Sequence, residues 1–184
     1  MKTNEQTRWR RIVGAMLFFF QMSLVAAFAQ ESGARSQEIV SPDGRIIVTV
    51  TVAEGGCPKY EVKLDGQVFI EPSPLGLKMN FDDLTQGLKL KGCDVSKFED
   101  EYWLKTTKQI HISYDATEAV CRFEKDGKRV LDIQFHITDR DVAYRYKLYP
   151  KKIRGGETLV AVVNGEASGF VMPDGTTTFL CPQS

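Results

Sequence analysis

The sequence predicts an all-β fold, a mostly antiparallel β-sandwich preceded by a helical signal peptide, and three observations carry that prediction. Apolar residues recur at every second position through most of the chain. Turn-forming Asp-Gly and Pro-Asp-Gly groups fall between the alternating runs, and beyond residue 29 no stretch repeats apolar residues at helical spacing. Period two puts successive side chains on opposite faces of a strand, one on a core and one in water. Composition agrees: 42% of the 184 residues are apolar and 26% charged, enough to bury a core and too apolar for disorder. The length suits one domain, and 24 basic against 24 acidic residues give no excess for nucleic acid to recognise.

The elements follow in order. Residues 1–29 read as a secretory signal, with Lys2, Arg8, Arg10 and Arg11 before an apolar run that ends in Ala27-Phe28-Ala29. Cleavage after Ala29 is expected, with an uncleaved anchor as the alternative. It leaves 20 basic residues against 23 acidic ones, so the exported part is mildly acidic. Residues 30–40, QESGARSQEIV, read as a flexible lead-in. Alternation then marks strands over 46–52, 59–64, 67–70, 75–81, 110–114, 119–124, 129–137 and 142–148. Asp65-Gly66 and Lys125-Asp126-Gly127-Lys128 mark two hairpins, because both central residues of a type I′ turn need positive φ. Pro42-Asp43-Gly44 and Pro173-Asp174-Gly175 open two further strands. About ten short strands result, in a sandwich rather than a closed barrel.

Cys57, Cys93, Cys121 and Cys181 all lie beyond the signal. An even count in an oxidising compartment permits two disulfides with three connectivities, and the sequence leaves the pairing open. There is no C-x-x-C, and neither histidine stands at ligand spacing from a cysteine, so no metal site is expected.

Chemistry is sparse. A nucleophilic triad needs a histidine, and His111 and His136 both fall on the polar phase of their strands, where solvated residues belong. No Gly-rich loop joins a strand to a helix, so nucleotide binding has no support. Glu99-Asp100-Glu101 directly before Tyr102 and Trp103 combines hydrogen-bond acceptors with stacking surface, the mix that suits a sugar; a solvated acidic loop beside an edge aromatic is the competing reading. Tyr102 and Trp103 are the candidate substrate-binding residues. Asp139 and Asp141 flank Arg140 at a turn between two strands and read as turn residues.

The same segments carry a resemblance. Ser41-Pro42-Asp43-Gly44-Arg45, then Leu64-Asp65-Gly66-Gln67-Val68, then Glu71-Pro72-Ser73-Pro74-Leu75-Gly76-Leu77 resemble, in order, the opening of the N-terminal domain of glycoside hydrolase family 97. Residues 135–146 and 164–173 resemble two later stretches of that domain. Asp141 stands where the family usually has Gly, a position an Asp tolerates, and 112–120 matches only loosely, so no binding residue is carried over from it.

The resemblance implies a super-sandwich-like fold over 41–184. It also implies membership in three-part bacterial enzymes that hydrolyse α-glucosides or α-galactosides on a separate (β/α)₈ barrel. The catalytic carboxylates and most of a calcium site would lie on that barrel, which alone needs roughly 250 residues. The chain is therefore expected to be truncated relative to the family, to hold no catalytic residue and no cofactor, and to be exported to the periplasm. It would support carbohydrate binding and hydrolysis beside a glycosidase barrel, with an oligo- or polysaccharide as ligand. A freestanding exported module that binds a glycan or a protein is the alternative. A docking domain should expose apolar surface, for which Ile47, Phe69, Val160 and Val162 are candidates.

Overall fold

The computed structural model describes residues 36–106, 108, 111–149, 151–152 and 155–177. The predicted signal 1–29, residues 30–35 of the lead-in, Cys181 and the strand expected after Pro173-Asp174-Gly175 lie outside them or run out of them. All described residues fall within one unit, Ala34–Ser184. They hold ten strands and no α-helix.

The strands are β1 (Ser36–Val40), β2 (Ile46–Ala53), β3 (Cys57–Leu64), β4 (Gln67–Pro74), β5 (Leu77–Met79), β6 (Lys89–Trp103), β7 (His111–Lys125), β8 (Lys128–Ile137), β9 (Val142–Leu148) and β10 (Val163–Glu166). Two four-stranded antiparallel meanders, β1-β2-β3-β4 and β6-β7-β8-β9, are joined by a small β10-β5 pair. Inward residues of both meanders form one core. Val48, Val50, Tyr60 and Val62 come from the first, and Cys121, Phe123, Ile133 and Phe135 from the second. Leu75, Leu84 and Leu88 from the connecting segment complete it. Burial alternates in β2, where Ile46, Val48 and Val50 are buried and Ile47 and Thr49 only partly so, which is the pattern of a sheet with one face packed.

The predicted turns form as the Asp-Gly pairs require. Asp65 and Gly66 have φ of 51° and 79°, and Asp126 and Gly127 of 51° and 72°. Besides β10, over which the alternation marks no strand, three elements differ from the sequence reading. The lead-in ends in a strand, because Ser36–Val40 pairs residue for residue with β2 and buries Ile39. The run 119–124 and residues 111–114 of the run 110–114 are parts of one strand, β7, in which the buried phase changes between Ala116 and Ala119, and Ile110 lies outside the described residues. β6 is new: of its fifteen residues only Leu90 is buried, so no alternation announces it.

Cys93 and Cys121, cross-strand partners in β6 and β7, form a disulfide. Cys57 is a free thiol. On the outward side of β8, Asp132 is only 1% exposed. Arg129 donates to both its carboxylate oxygens (Nε at 2.7 Å, Nη2 at 2.6 Å), and the Tyr149 hydroxyl donates to one of them at 2.6 Å. Burial favours the neutral acid, but these bonds and the guanidinium charge outweigh it and hold the carboxyl below its ordinary value. Asp132→Asn should therefore cost about 1–2 kcal/mol at neutral pH, kept low because Arg129 is 40% exposed and can rehydrate. A carboxyl with a lowered folded-state pKa stabilises fully above its unfolded value and loses that contribution as pH falls through the folded one. Urea midpoints of wild type and variant should differ at pH 7 and begin to approach one another only as pH falls below about 4, meeting beneath the lowered folded-state value.

Candidate functional site

β8 pairs with β7 only from Thr117 onward, whereas β6 pairs with β7 down to His111. Residues 98–103 and 111–116 therefore run past β8 as a two-stranded ribbon, and the residues singled out for sugar contact lie on it. Alternation divides them between its two faces. Trp103 lies opposite His111, Glu101 opposite Ser113 and Glu99 opposite Asp115 on one face; Tyr102 lies opposite Ile112 and Asp100 opposite Tyr114 on the other. Tyr102 and Trp103 do not share a site.

Trp103 is 68% exposed. Its indole stacks on the His111 ring with centroids 4.4 Å apart and planes 22° from parallel, and His111 Nε2 lies 2.6 Å from Glu101 Oε1. One Trp face is thus taken by His111, and carboxylates of Glu99, Glu101 and Asp115 are placed on the same side of the ribbon. Chemically this is a stacking platform bordered by acceptors, suited to the C–H face and hydroxyls of a sugar.

His136 sits elsewhere and is less solvated than its phase suggests. Its ring meets Phe98 edge-on at 5.1 Å and Tyr114 at 5.8 Å, and its Nδ1 lies 3.4 Å from Glu118 Oε1. Burial, then the charge of Asp100, raises the Tyr114 phenol above its usual range. Glu118, Gln134 and Arg145 were not singled out from the sequence, since they become a group with His136 only once register is known. Asp139 and Asp141 are in a turn: Asp139 accepts from the Asp43 amide at 2.9 Å, and the Thr138 amide donates to the Asp141 carbonyl. Among the described residues no group of three His, Cys, Asp or Glu side chains could hold a metal ion.

Exposed apolar residues collect along the chain's last described segment. Val160, Val162, Val163, Phe170, Val171 and Met172 are exposed, as is Phe69 on β4, while Ile47 is half-buried. Residues of that segment lie along β4 and β5. The Glu71 amide donates to the Val171 carbonyl, Gly169 to Pro74, Ala167 to Gly76 and Asn80 to Val162. Two tyrosines secure it: Tyr60 Oη donates to the Gly169 carbonyl at 3.1 Å, and Tyr146 hydrogen-bonds Ser168 Oγ and accepts from the Gly76 amide. Burial, partly offset by those two bonds, raises the Tyr146 phenol.

Comparison with known proteins places this fold. Residues 39–184 match the glycosyl-hydrolase 97 N-terminal family. A probable retaining alpha-galactosidase of Streptomyces bingchenggensis (strain BCW-1) is 33% identical over 139 residues, which is 76% of this chain and 20% of that protein. The crystal structure of a beta-arabinopyranosidase superposes with a TM-score of 0.70 at 36% identity, over 82% of this chain and 23% of the other. A family 97 enzyme of Pseudoalteromonas sp. strain K8, solved with panose and with acarbose, shares the fold (TM-score 0.64, 16% identity, 75% of this chain and 20% of that one). The chain thus spans about a fifth of each relative's length. With its two antiparallel meanders around one core and this match over most of its length, the chain belongs to the glycosyl-hydrolase 97 N-terminal family.

Proposed function

We propose that this chain is the non-catalytic N-terminal β-sandwich of a family 97-like α-glycosidase, packing against a catalytic barrel that these 184 residues do not contain and helping to wall its sugar site. The observation that carries the reading is the match itself: three quarters or more of this chain corresponds to about a fifth of proteins named as glycosidases, one of them solved with panose and acarbose. The exposed apolar row of 160–172 with Phe69 supports it as the docking edge. Trp103, bordered by Glu101 and His111, is the sugar-facing residue of the ribbon; Tyr102 faces away from it. An α-glucoside or α-galactoside is the proposed substrate class, and any calcium belongs with the barrel. The Cys93–Cys121 disulfide suits an exported, periplasmic location.

Expression of the chain together with a family 97 barrel fragment, as separate polypeptides, tests this. The two should co-purify and release sugar from aryl α-glucosides or α-galactosides, the chain alone should not, and Phe69→Asp with Val160→Asp should lower co-purification by about tenfold or more. Enzymic turnover by the chain alone, or a barrel fragment that neither binds the chain nor gains activity from it, overturns the proposal. Glycan binding by the chain in that second case would favour the freestanding module.

A further inference from the structure

The outward face of β7, β8 and β9 carries a second feature, distinct from the ribbon tip. Register sets two rows across it: Glu118 opposite His136 opposite Ala143, and Val120 opposite Gln134 opposite Arg145. Their inward neighbours Ala119 and Phe135 are in the core, so these six side chains face away from it. Long polar side chains stand around the short Ala143 and Val120, and a hollow of about 390 Å³ lies between them. The His136 ring forms one edge of it, and Phe98 and Tyr114, 6.2 Å apart, both meet that ring and hold it in place.

The polar groups are held in place by one another. Arg145 Nε donates to Gln134 Oε1 at 2.7 Å, and His136 Nδ1 lies 3.4 Å from Glu118 Oε1. Those contacts do not engage the second Glu118 oxygen, the Gln134 amide nitrogen or the terminal Arg145 nitrogens, so the hollow offers an acceptor and several donors in a fixed pattern. The charges oppose each other: an anionic ligand that met Arg145 would also meet Glu118, and a cation the reverse. What fits is a neutral ligand with many hydroxyls and an apolar C–H face, since hydroxyls both donate and accept and the His136 ring covers part of the C–H face.

We propose that this hollow binds one neutral hexopyranose unit of an oligosaccharide, with Glu118, Gln134 and Arg145 on its hydroxyls and the His136 ring, held by Phe98 and Tyr114, along its apolar edge. The choice of sugar as probe rests on the glycosidase reading above; the site itself rests on the register and the hollow.

Nitrogen-15 NMR of the full chain, titrated with maltotriose and separately with an α-1,6-linked galactose disaccharide, tests it. Saturable shifts are expected at Gln134, His136, Ala143 and Arg145 for at least one sugar, with Kd on the order of 1 mM. Arg145→Ala and Gln134→Ala should each weaken binding by about tenfold, the loss of one strong hydrogen bond, while core resonances of Phe123 and Ile133 stay unshifted and so report intact folding. Shifts confined to Trp103 and His111, shifts that never saturate, or an unchanged Kd in Arg145→Ala would overturn it. The barrel test separates the two proposals: complementation without shifts on this face removes only the site, and shifts without complementation remove only the docking role.

Discussion

Tyr60→Ala is expected to lower stability by about 3–5 kcal/mol, the range for deleting a large buried ring. Tyr60 is 2% exposed, on β3, and touches both sheets: its ring lies 5.5 Å from Tyr144 and 6.5 Å from Phe135, centroid to centroid. It also meets Phe170 edge-on at 6.5 Å, while its hydroxyl donates to the Gly169 carbonyl. One side chain therefore fills the space between the meanders and holds the segment along β4. Tyr60→Phe separates the two roles. It keeps the ring and should cost only about 1 kcal/mol, yet hydrogen exchange at Val171, whose neighbourhood the bond secures, should quicken in it as in the alanine variant. The lost bond leaves an acceptor that water can reach, since Phe170 beside it is exposed. Urea unfolding of both variants measures the first effect and exchange the second. A loss under 1 kcal/mol for Tyr60→Ala would mean that the sheets do not close on this residue.

What the sequence disclosed follows from which faces are buried. β2, β3, β8 and β9 each set one face against the core, so their alternation is plain, and the two Asp-Gly turns need only local chemistry. β6 escaped because Val95, Lys97 and Glu99 are as exposed as Ser96 and Asp100; with water on both faces there is no period to read. The ribbon site suffered for the same reason. Tyr102 and Trp103 are paired by sequence adjacency, and once they are known to lie on a strand, period two sends them apart. Ile47 is covered more than its phase suggests because Val40 of the unanticipated β1 lies beside it. The Glu118–Gln134–Arg145 group needed the β7–β8 register, and the irregularity between Phe123 and Glu124 shifts that register by one from what the Asp126-Gly127 turn alone would set.

The exposure of β6 makes its disulfide the main restraint on it. Among the described strands β6 is an edge strand that pairs with β7, and past Cys93 its residues are exposed or half-buried. Cys121, by contrast, is fully buried in the core. The bond thus ties a poorly packed strand to the packed one, closing a loop of sequence separation 28, for which chain-entropy reasoning gives about 3–4 kcal/mol. A Cys93→Ala, Cys121→Ala double variant should lose about that much and melt roughly 6–12 °C lower. The loss should be uneven. Backbone amides of Asp94 to Trp103 should exchange far faster, because freeing β6 costs little buried surface, while Phe123 and Ile133 keep protection up to the new global stability. Reducing the wild type under non-denaturing conditions should reproduce the same exchange pattern, which separates loss of the bond from loss of the cysteine side chains. If the double variant stays within about 0.5 kcal/mol of the wild type and the ribbon amides keep their protection, the β6–β7 hydrogen bonds alone hold the ribbon. Trp103 would then be positioned by the ladder rather than by the sulfur bridge ten residues away.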